Sequence, residues 1–506
     1  MKVTIAWTAT LLLLLANAEF AGATQTRSVL QPTSKLVTHR NEGKGAFNLN
    51  SQRQIGEDVR GGSGSDGHEG ELMGPVTAFT NILADLCPHG MLPLAFGIAA
   101  GGGTGALTAT ITLLIFGALS WYSLLSWGRA ADVVLKGSQE ESLSAVWGKV
   151  IPNGDATSYV PDALCALLTI GCLLFYSAFI GDLFGALASG LPLPNAIKNR
   201  SAVLLVLHAV PILPLCLLKD LSALKYSSMT GLAGIVYTCF FVGKRLFDKS
   251  YSPGGKFFDF MSSHLQPAAQ ASFPSKGGNF LRDIPLFYAG NGILTLMNMC
   301  CVAFACHYNA VKYFMELKDR RVSHYGKVMA AGLGGTAAVF LSMMVLGYGT
   351  FGAHSQALLL NNYHESKDVM ATFARGFTGL AIISGYPLMF AGLKSSMFSL
   401  TKLDKSNDVE TENKRTTLAV AMISVIAVGA CFVTEHELAT VIGVVGSVFG
   451  SAVIYMLPAI LNGNFLKTYG GEFFKGELGF NKLLMAFGWI FAILGTWITL
   501  KDAGAH

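Results

Sequence analysis

The 506-residue chain is 52% hydrophobic and only 13% charged, where soluble domains carry about a quarter charged residues, so most of it needs no water-facing surface. Its formal net charge of +5 is spread over the polar segments and offers no concentrated basic patch for a nucleic acid. Apolar runs of roughly 20 residues are what a bilayer-crossing helix needs; they exclude a string of soluble domains, and they lack the short alternation of a transmembrane barrel.

Residues 1–18 read as a signal peptide: Lys2, an apolar stretch through Leu15, and Ala16, Asn17 and Ala18 as a small-x-small cleavage site. Residues 19–74 have no apolar periodicity. They hold Arg27, Lys35, Arg40, Lys44, Arg53 and Arg60 among hydroxyl and amide residues, and residues 61–67 are Gly/Ser linker chemistry. Two readings of this tail stand. It is a disordered cytosolic segment behind an uncleaved hydrophobic start, or a targeting sequence similar to the bipartite plastid leaders of algae with secondary plastids.

Eleven transmembrane helices are predicted after it, near 76–98, 105–127, 160–187, 201–218, 227–242, 284–307, 327–351, 369–393, 416–433, 438–461 and 480–500. Residues 243–283, rich in Gly, Ser, Pro and Lys, are expected to form a flexible loop, and residues 501–506 a short C-terminal tail. With a cytosolic N-terminal tail, the inner loops collect 18 Lys and Arg against 9 outside, six of those nine lying in 243–283. The segments 308–327 and 394–415 carry five each and are placed in the cytosol. A cleaved signal peptide would put the tail on the other side; the loop bias sums over more residues and is preferred.

The nine cysteines all fall in apolar runs, so no extracellular disulfide framework is expected. Cys300, Cys301, Cys306 and His307 lack zinc-ligand spacing on a helix, and no metal or other cofactor is expected. Neither H-E-x-x-H nor a phosphate-binding G-x-x-x-x-G-K-[ST] loop occurs, which argues against an enzyme or an ATP-driven pump, and no catalytic residue is assigned.

Several local patterns, in order, resemble the amino acid/auxin permease family, which includes vacuolar and sodium-coupled neutral amino acid transporters. They are Gly90-Met91-Leu92-Pro93-Leu94 in the first helix, Ile180-Gly181-Asp182-Leu183 in the third and Pro214-Leu215-Cys216 in the fourth. Phe304-Ala305-Cys306-His307 with Tyr313-Phe314-Met315-Glu316-Leu317 follow at the sixth, then Gly347-Tyr348-Gly349, Tyr386-Pro387-Leu388 and Tyr455-Met456-Leu457-Pro458. The resemblance covers roughly residues 75–500 and implies an amino acid transporter transmembrane domain of LeuT type: two inverted repeats of five helices and one extra helix. It implies a secondary carrier in an endomembrane, vacuolar or plasma membrane, or a plastid envelope. A membrane amino acid sensor with little turnover is the alternative. Asp85 and His89 depart from the neutral sodium-coupled members, which carry small or amide side chains there.

Proline removes a backbone donor and glycine permits unwinding, so the first helix is expected to break at Cys87, Pro88, His89 and Gly90 and again at Pro93. Interrupted helices in the two halves point to a transporter site. In the sixth helix the weak points are Gly290-Asn291-Gly292 and Asn298. An unwound segment offers N–H groups to a substrate carboxylate and carbonyls to an ammonium, which suits an amino acid. The substrate site is therefore assigned to Cys87, Pro88, His89 and Gly90 with Asn298, Met299, Cys300 and Cys301.

A carboxylate at a helix centre costs roughly 2.5–3.5 kcal/mol on insertion scales. Asp85 and His89, four apart and on one face, are assigned to proton coupling, and Asn81 one turn earlier keeps sodium as runner-up. A structural pair holding the break open is the alternative. Other polar residues get packing roles: Asp182 as an interface anchor, His208 as a satisfied core histidine, the Gly181/Gly185 and Gly446/Gly450 pairs as close-approach devices, and Arg375 as a side chain snorkelling to the interface.

Overall fold

The computed structural model describes residues 72–503 except 101–102, 139, 191, 193, 195–197, 219–224, 265–285, 289, 365–366, 405–407 and 471–474. The readings of residues 1–18 and 19–71 lie outside the described residues. Among those described, the backbone is helical or irregular, with one isolated bridge between Met73 and Leu317.

The first predicted span is two helices, α1 (Pro75–Gly90) and α2 (Leu94–Ala99). Then come α3 (Ala106–Val134), a short helix Leu143–Val150, and α4 (Tyr159–Ser189). Next, α5 (Arg200–Leu207) runs through a wide π turn, His208–Ile212, into Leu213–Cys216. After α6 (Lys225–Phe247), the sixth span is again two pieces, α7 (Gly292–Ala303) and α8 (Ala310–Glu316). The chain closes with α9 (Val322–Phe351), α10 (Val369–Leu400) and α11 (Val409–Ala430). Last are α12 (Glu435–Val444), a π segment Val445–Met456, α13 (Leu457–Tyr469) and α14 (Lys475–Ala503).

Seven stretches of the described residues are long and apolar enough to cross a membrane: Ala106–Val134, Gly154–Ser189, Gly292–Glu316, Val322–His354, Val369–Leu400, Glu437–Tyr469 and Gly476–Lys501. The other four expected spans are helical at α1/α2, α5, α6 and α11 but fall outside that count. Local chemistry sets the boundaries. Pro75 opens α1 where its missing N–H costs no bond. Asp368 and Asp408 cap α10 and α11 by accepting from Ala371 N and Thr411 N. Inside the third of the predicted spans, Thr169 and Ser177 return their hydroxyls to the preceding turn, to Cys165 O and Leu173 O at 2.7 Å each, so neither brings an unmet donor into the apolar interior.

Three boundaries differ from expectation. The sixth span does not end at 307: residues 310–316 are helical, because the charges Lys312 and Glu316 pair at 3.6 Å across one turn while the apolar face stays buried. The segment 243–283 is not loop throughout, since α6 extends to Phe247 and Phe258–His264 is a helix. Helix α14 likewise extends through Ala503 into the expected tail.

Helix α10 is the axis of the bundle, packed along α4, α6 and α1. Its entry is fixed by Asp368, fully buried, whose carboxylate takes Arg245 Nε at 2.9 Å, Arg245 Nη2 at 2.5 Å and the Tyr251 hydroxyl at 3.1 Å. Arg375 corrects the snorkelling expectation: it is 1% exposed and donates to Leu360 O at 2.9 Å and Tyr363 O at 2.7 Å, holding the loop before α10 from within. His208 is the satisfied core histidine expected, and Asp182 is held in an ion pair within the bundle. Asp182 pairs with Arg200 at 2.5 Å, and His208 bonds Ser177 Oγ at 2.9 Å and Leu204 O at 2.8 Å.

Two predictions follow from this arrangement. Asp368→Ala removes the buried acceptor of Arg245 and Tyr251 and the cap on Ala371 N, leaving a half-buried guanidinium with Asp248 as its carboxylate; it is expected to cost about 1.5–3 kcal/mol, read as a lower midpoint of thermal unfolding in detergent, and a midpoint unchanged from the parent contradicts the assignment. The charge bias predicts that Arg320→Cys and Asp404→Cys are shielded from an impermeant maleimide added outside sealed vesicles oriented as in the cell. Strong labelling at Arg320→Cys before permeabilisation reverses the orientation.

Candidate functional site

The two interrupted spans face each other. His89 Nε2 lies 3.2 Å from Val302 O, and Gly90 sits so close to the sixth span and α9 that a Cβ there would stand 2.9 Å from Ala303 and overlap the Phe340 ring. At the start of α1, Met73 N donates to Glu316 O at 2.7 Å, and Lys318 N to Met73 O at 3.0 Å. The entry of the first span is thus tied to the exit of the sixth.

The first span breaks at Pro93 as expected but not at 87–90, and the sixth breaks further along than expected. In the first span, Cys87, Pro88, His89 and Gly90 are helical, and the chain departs from the helix at 91–93 before α2. Pro88 cannot donate to Ala84 O, and the helix tolerates the loss because α10 closes on that carbonyl: a Cβ at Gly385 would collide with Ala84 O. In the sixth span, Asn298, Met299, Cys300 and Cys301 lie within the regular helix α7, and the break spans 304–309. Asn298 Nδ2 donates to Gly495 O and Thr499 Oγ1, both at 3.0 Å, so its amide faces α14 and not the first span. The Gly446/Gly450 pair acts in packing as expected, since Cβ atoms there would overlap Asn298 O and Cys301 Sγ. Met299 does meet the first span, packing with Leu296 against Gly97 of α2; the residues that reach the His89 and Asp85 end of α1 come later, at Val302, Ala303, Tyr308 and Tyr313.

At this junction Asp85 is fully buried. Its Oδ1 accepts from the Tyr308 hydroxyl at 2.9 Å and its Oδ2 from the Tyr313 hydroxyl at 3.2 Å. Two phenols donating to two oxygens is the pattern an ionised carboxylate, an acceptor only, calls for. Helix α10 positions one of the donors, because a Cβ at Gly392 would overlap the Tyr308 ring. Asn309, in the break, donates to Leu388 O of α10 at 2.8 Å.

Tyr176 of α4 connects Asp85 to His89. Its hydroxyl donates to the main-chain O of Asp85 at 2.7 Å and lies 2.5 Å from His89 Nδ1. The contacts from Val302 O through His89 and Tyr176 to Asp85 O are three and take three hydrogens. A neutral imidazole and a phenol supply two; an imidazolium and a phenol supply three. The cluster therefore has room for one more proton, beside a carboxylate that can balance its charge. Asn81 is used otherwise: Oδ1 accepts from Ser228 Oγ of α6 at 2.8 Å, and Nδ2 donates to Met73 Sδ at 3.4 Å.

Sequence reasoning placed Asp85 and His89 together and missed Tyr176, Tyr308 and Tyr313. The last two lie in the segment read as an inner loop, and their signal was the Tyr313 to Leu317 pattern already noted. Nothing in the third helix marked Tyr176.

Residues 73–501 match the profile of the family described as transmembrane amino acid transporter protein. The chain is similar to vacuolar amino acid transporter 6 of Saccharomyces cerevisiae, 22% identical over 63% of this chain and 64% of that protein. It is also similar to sodium-coupled neutral amino acid transporter 7 of Mus musculus, 25% identical over 59% of this chain and 58% of that one. The matched regions thus span about six-tenths of these relatives, 64% and 58%. In fold it is similar to the crystal structure of MhsT in complex with L-phenylalanine, a LeuT-type transporter, with a TM-score of 0.53 at 13% identity over 85% of this chain and 98% of MhsT. With its all-helical architecture, two interrupted spans and a family match from residue 73 to 501, the chain belongs to the transmembrane amino acid transporter protein family and is a multi-pass membrane protein.

Proposed function

We propose that this protein is a secondary active carrier that moves amino acids across its membrane by alternating access, in symport with protons. The observation that carries the reading is the buried Asp85 carboxylate. It is held by two phenols of the sixth span, and a histidine and tyrosine beside it have room for one more proton. A buried carboxylate is costly, and where it joins two helices that are themselves interrupted it is placed to act.

In this account the substrate sits against the breaks at 91–93 and 304–309, where main-chain N–H and C=O groups leave regular helix. Its carboxylate and ammonium take those groups. Cys87, Pro88, His89 and Gly90 form the wall beside it. With Asp85 ionised, the Tyr308 and Tyr313 hydroxyls point at it and clamp α8 against α1. A proton on Asp85 removes one acceptor position and frees α8 to shift, which links proton entry to the change of access. Removing one phenol from a charged partner costs about 1.5–3 kcal/mol, so Tyr308→Phe weakens that clamp without removing the proton acceptor.

Uptake into proteoliposomes under an imposed pH gradient, with and without sodium, tests the reading. The parent accumulates amino acid when driven by the gradient alone. Asp85→Asn loses accumulation while retaining exchange of substrate, and Tyr308→Phe keeps proton-driven uptake at a reduced rate. Sodium-dependent uptake indifferent to the pH gradient, or normal accumulation by Asp85→Asn, contradicts proton coupling; absence of uptake or exchange under every condition contradicts transport itself.

A further inference from the structure

We propose that the cleft between the end of the fourth span, α8, the end of α10 and the start of α11 binds a phosphate group, carried by an anionic phospholipid. The cleft encloses about 290 Å³. Three cations line it, Lys312 from α8, Lys394 from α10 and Arg415 from α11, with Glu412 as the one carboxylate of its wall. Asp85 and its partners Tyr308, Tyr313 and Tyr176 are not among the residues that line it.

Each cation is held in place by a neighbour. Lys394 Nζ donates to Leu218 O at 2.8 Å and Cys216 O at 3.3 Å. Arg415 Nε donates to Leu403 O at 2.9 Å, its Nη1 pairs with Glu412 at 3.3 Å, and its guanidinium lies 5.9 Å from the Phe398 ring centre. Lys312 rests 3.6 Å from Glu316. Positive groups fixed on three separate helices around one concavity form a preorganised anion site, and charge-assisted bonds to phosphate are the strong kind.

The rest of the wall decides the carrier of that phosphate. Leu217, Phe398 and Ala419 give it an apolar side beside Ser395 and Thr416, and Leu217 and Leu218 are 37% and 41% exposed. A free anion has no use for such a wall, whereas the glycerol and first methylenes of a phospholipid do. Basic pockets between transmembrane helices on the cytoplasmic side are known hosts for such headgroups, and this cleft borders the segments whose Lys and Arg assign them to that side.

The consequence falls on α8. Lys312 lies four residues after Tyr308 and next to Tyr313, the two residues that hold Asp85. A phosphate bridging Lys312 to Lys394 and Arg415 staples α8 to α10 and α11 and favours the arrangement in which both phenols reach the carboxylate.

The test reads lipid and not transport, so its outcome is independent of the carrier function. Protein is extracted from vesicles of phosphatidylcholine and phosphatidylglycerol, and retained lipid is measured by native mass spectrometry. The parent retains phosphatidylglycerol in preference to phosphatidylcholine. Lys312→Gln retains about fivefold less, the effect of one basic group near an anionic headgroup, and Lys312→Arg retains as much as the parent. Thr416→Asp, which adds a negative charge at an exposed position of the wall without removing a bond, also loses about fivefold. A parallel thermal melt adds inorganic phosphate alone. Stabilisation of the parent but not of Lys312→Gln, without lipid retention, keeps the phosphate site and overturns its lipid source. Equal lipid retention by parent and variants, with no stabilisation by inorganic phosphate, overturns the proposal.

Discussion

Burying a carboxylate costs several kcal/mol unless its oxygens are bonded where they lie, and Asp85 is buried where two interrupted helices meet. That requirement organises its surroundings. One oxygen is met by Tyr308 from the second break and the other by Tyr313 from α8, so the break and the short helix after it both have to stand against α1. Tyr176 carries the connection outward to α4 and across to His89, and His89 reaches Val302 O on the last turn before the break. Elements distant in sequence, α1, α4, α7 and α8, are fixed relative to one another by a single charge and its donors.

Around that centre, α10 supplies the frame. It approaches α1 at Gly385, where the carbonyl that Pro88 leaves free would exclude any side chain, and it approaches the second break at Gly392, where Tyr308 fills the space a Cβ would need. Its outer end is pinned by Asp368 and Arg245, and the loop before it by Arg375. Its middle meets α4 and α6 through side chains, Tyr386 with Ser177 at 3.2 Å and Thr378 with Thr238 at 2.7 Å, and meets α1 through Gly385.

Much of the fold was legible because a bilayer leaves few choices: every expected span corresponds to helix, with seven stretches of crossing length and hydropathy. The break at Pro93 was legible, whereas the continuity of the helix through Pro88 and the place of the second break were not. Pro88 signalled a break, yet the helix continues past it, because the lost hydrogen bond is one among many and the neighbouring Gly385 lets α10 cover the orphaned carbonyl. The sixth span breaks three residues after Cys301 with no proline at all, at Phe304, Ala305 and Cys306, which read as ordinary apolar filling. Lys312 and Glu316 made α8 resemble a loop, since composition counts charges and does not see that these two pair on one face. Asp85 and His89 were legible as a pair from their spacing. Their partners were not, because Tyr176, Tyr308 and Tyr313 come from other spans and a tyrosine in a membrane helix has many ordinary uses. Asn298 misled for the converse reason: a lone amide in an apolar helix signals a bond, but not which neighbour receives it.

The central claim is that Asp85 gains and loses a proton as the carrier works. Infrared difference spectroscopy of the protein in lipid, stepping the pH across the working range with substrate present and absent, observes this directly. The account predicts a carboxylic-acid carbonyl band that rises as the pH falls, shifts when Tyr308→Phe removes one donor, and is missing from Asp85→Asn. A difference spectrum with the same carboxylic-acid band in the parent and in Asp85→Asn would contradict it.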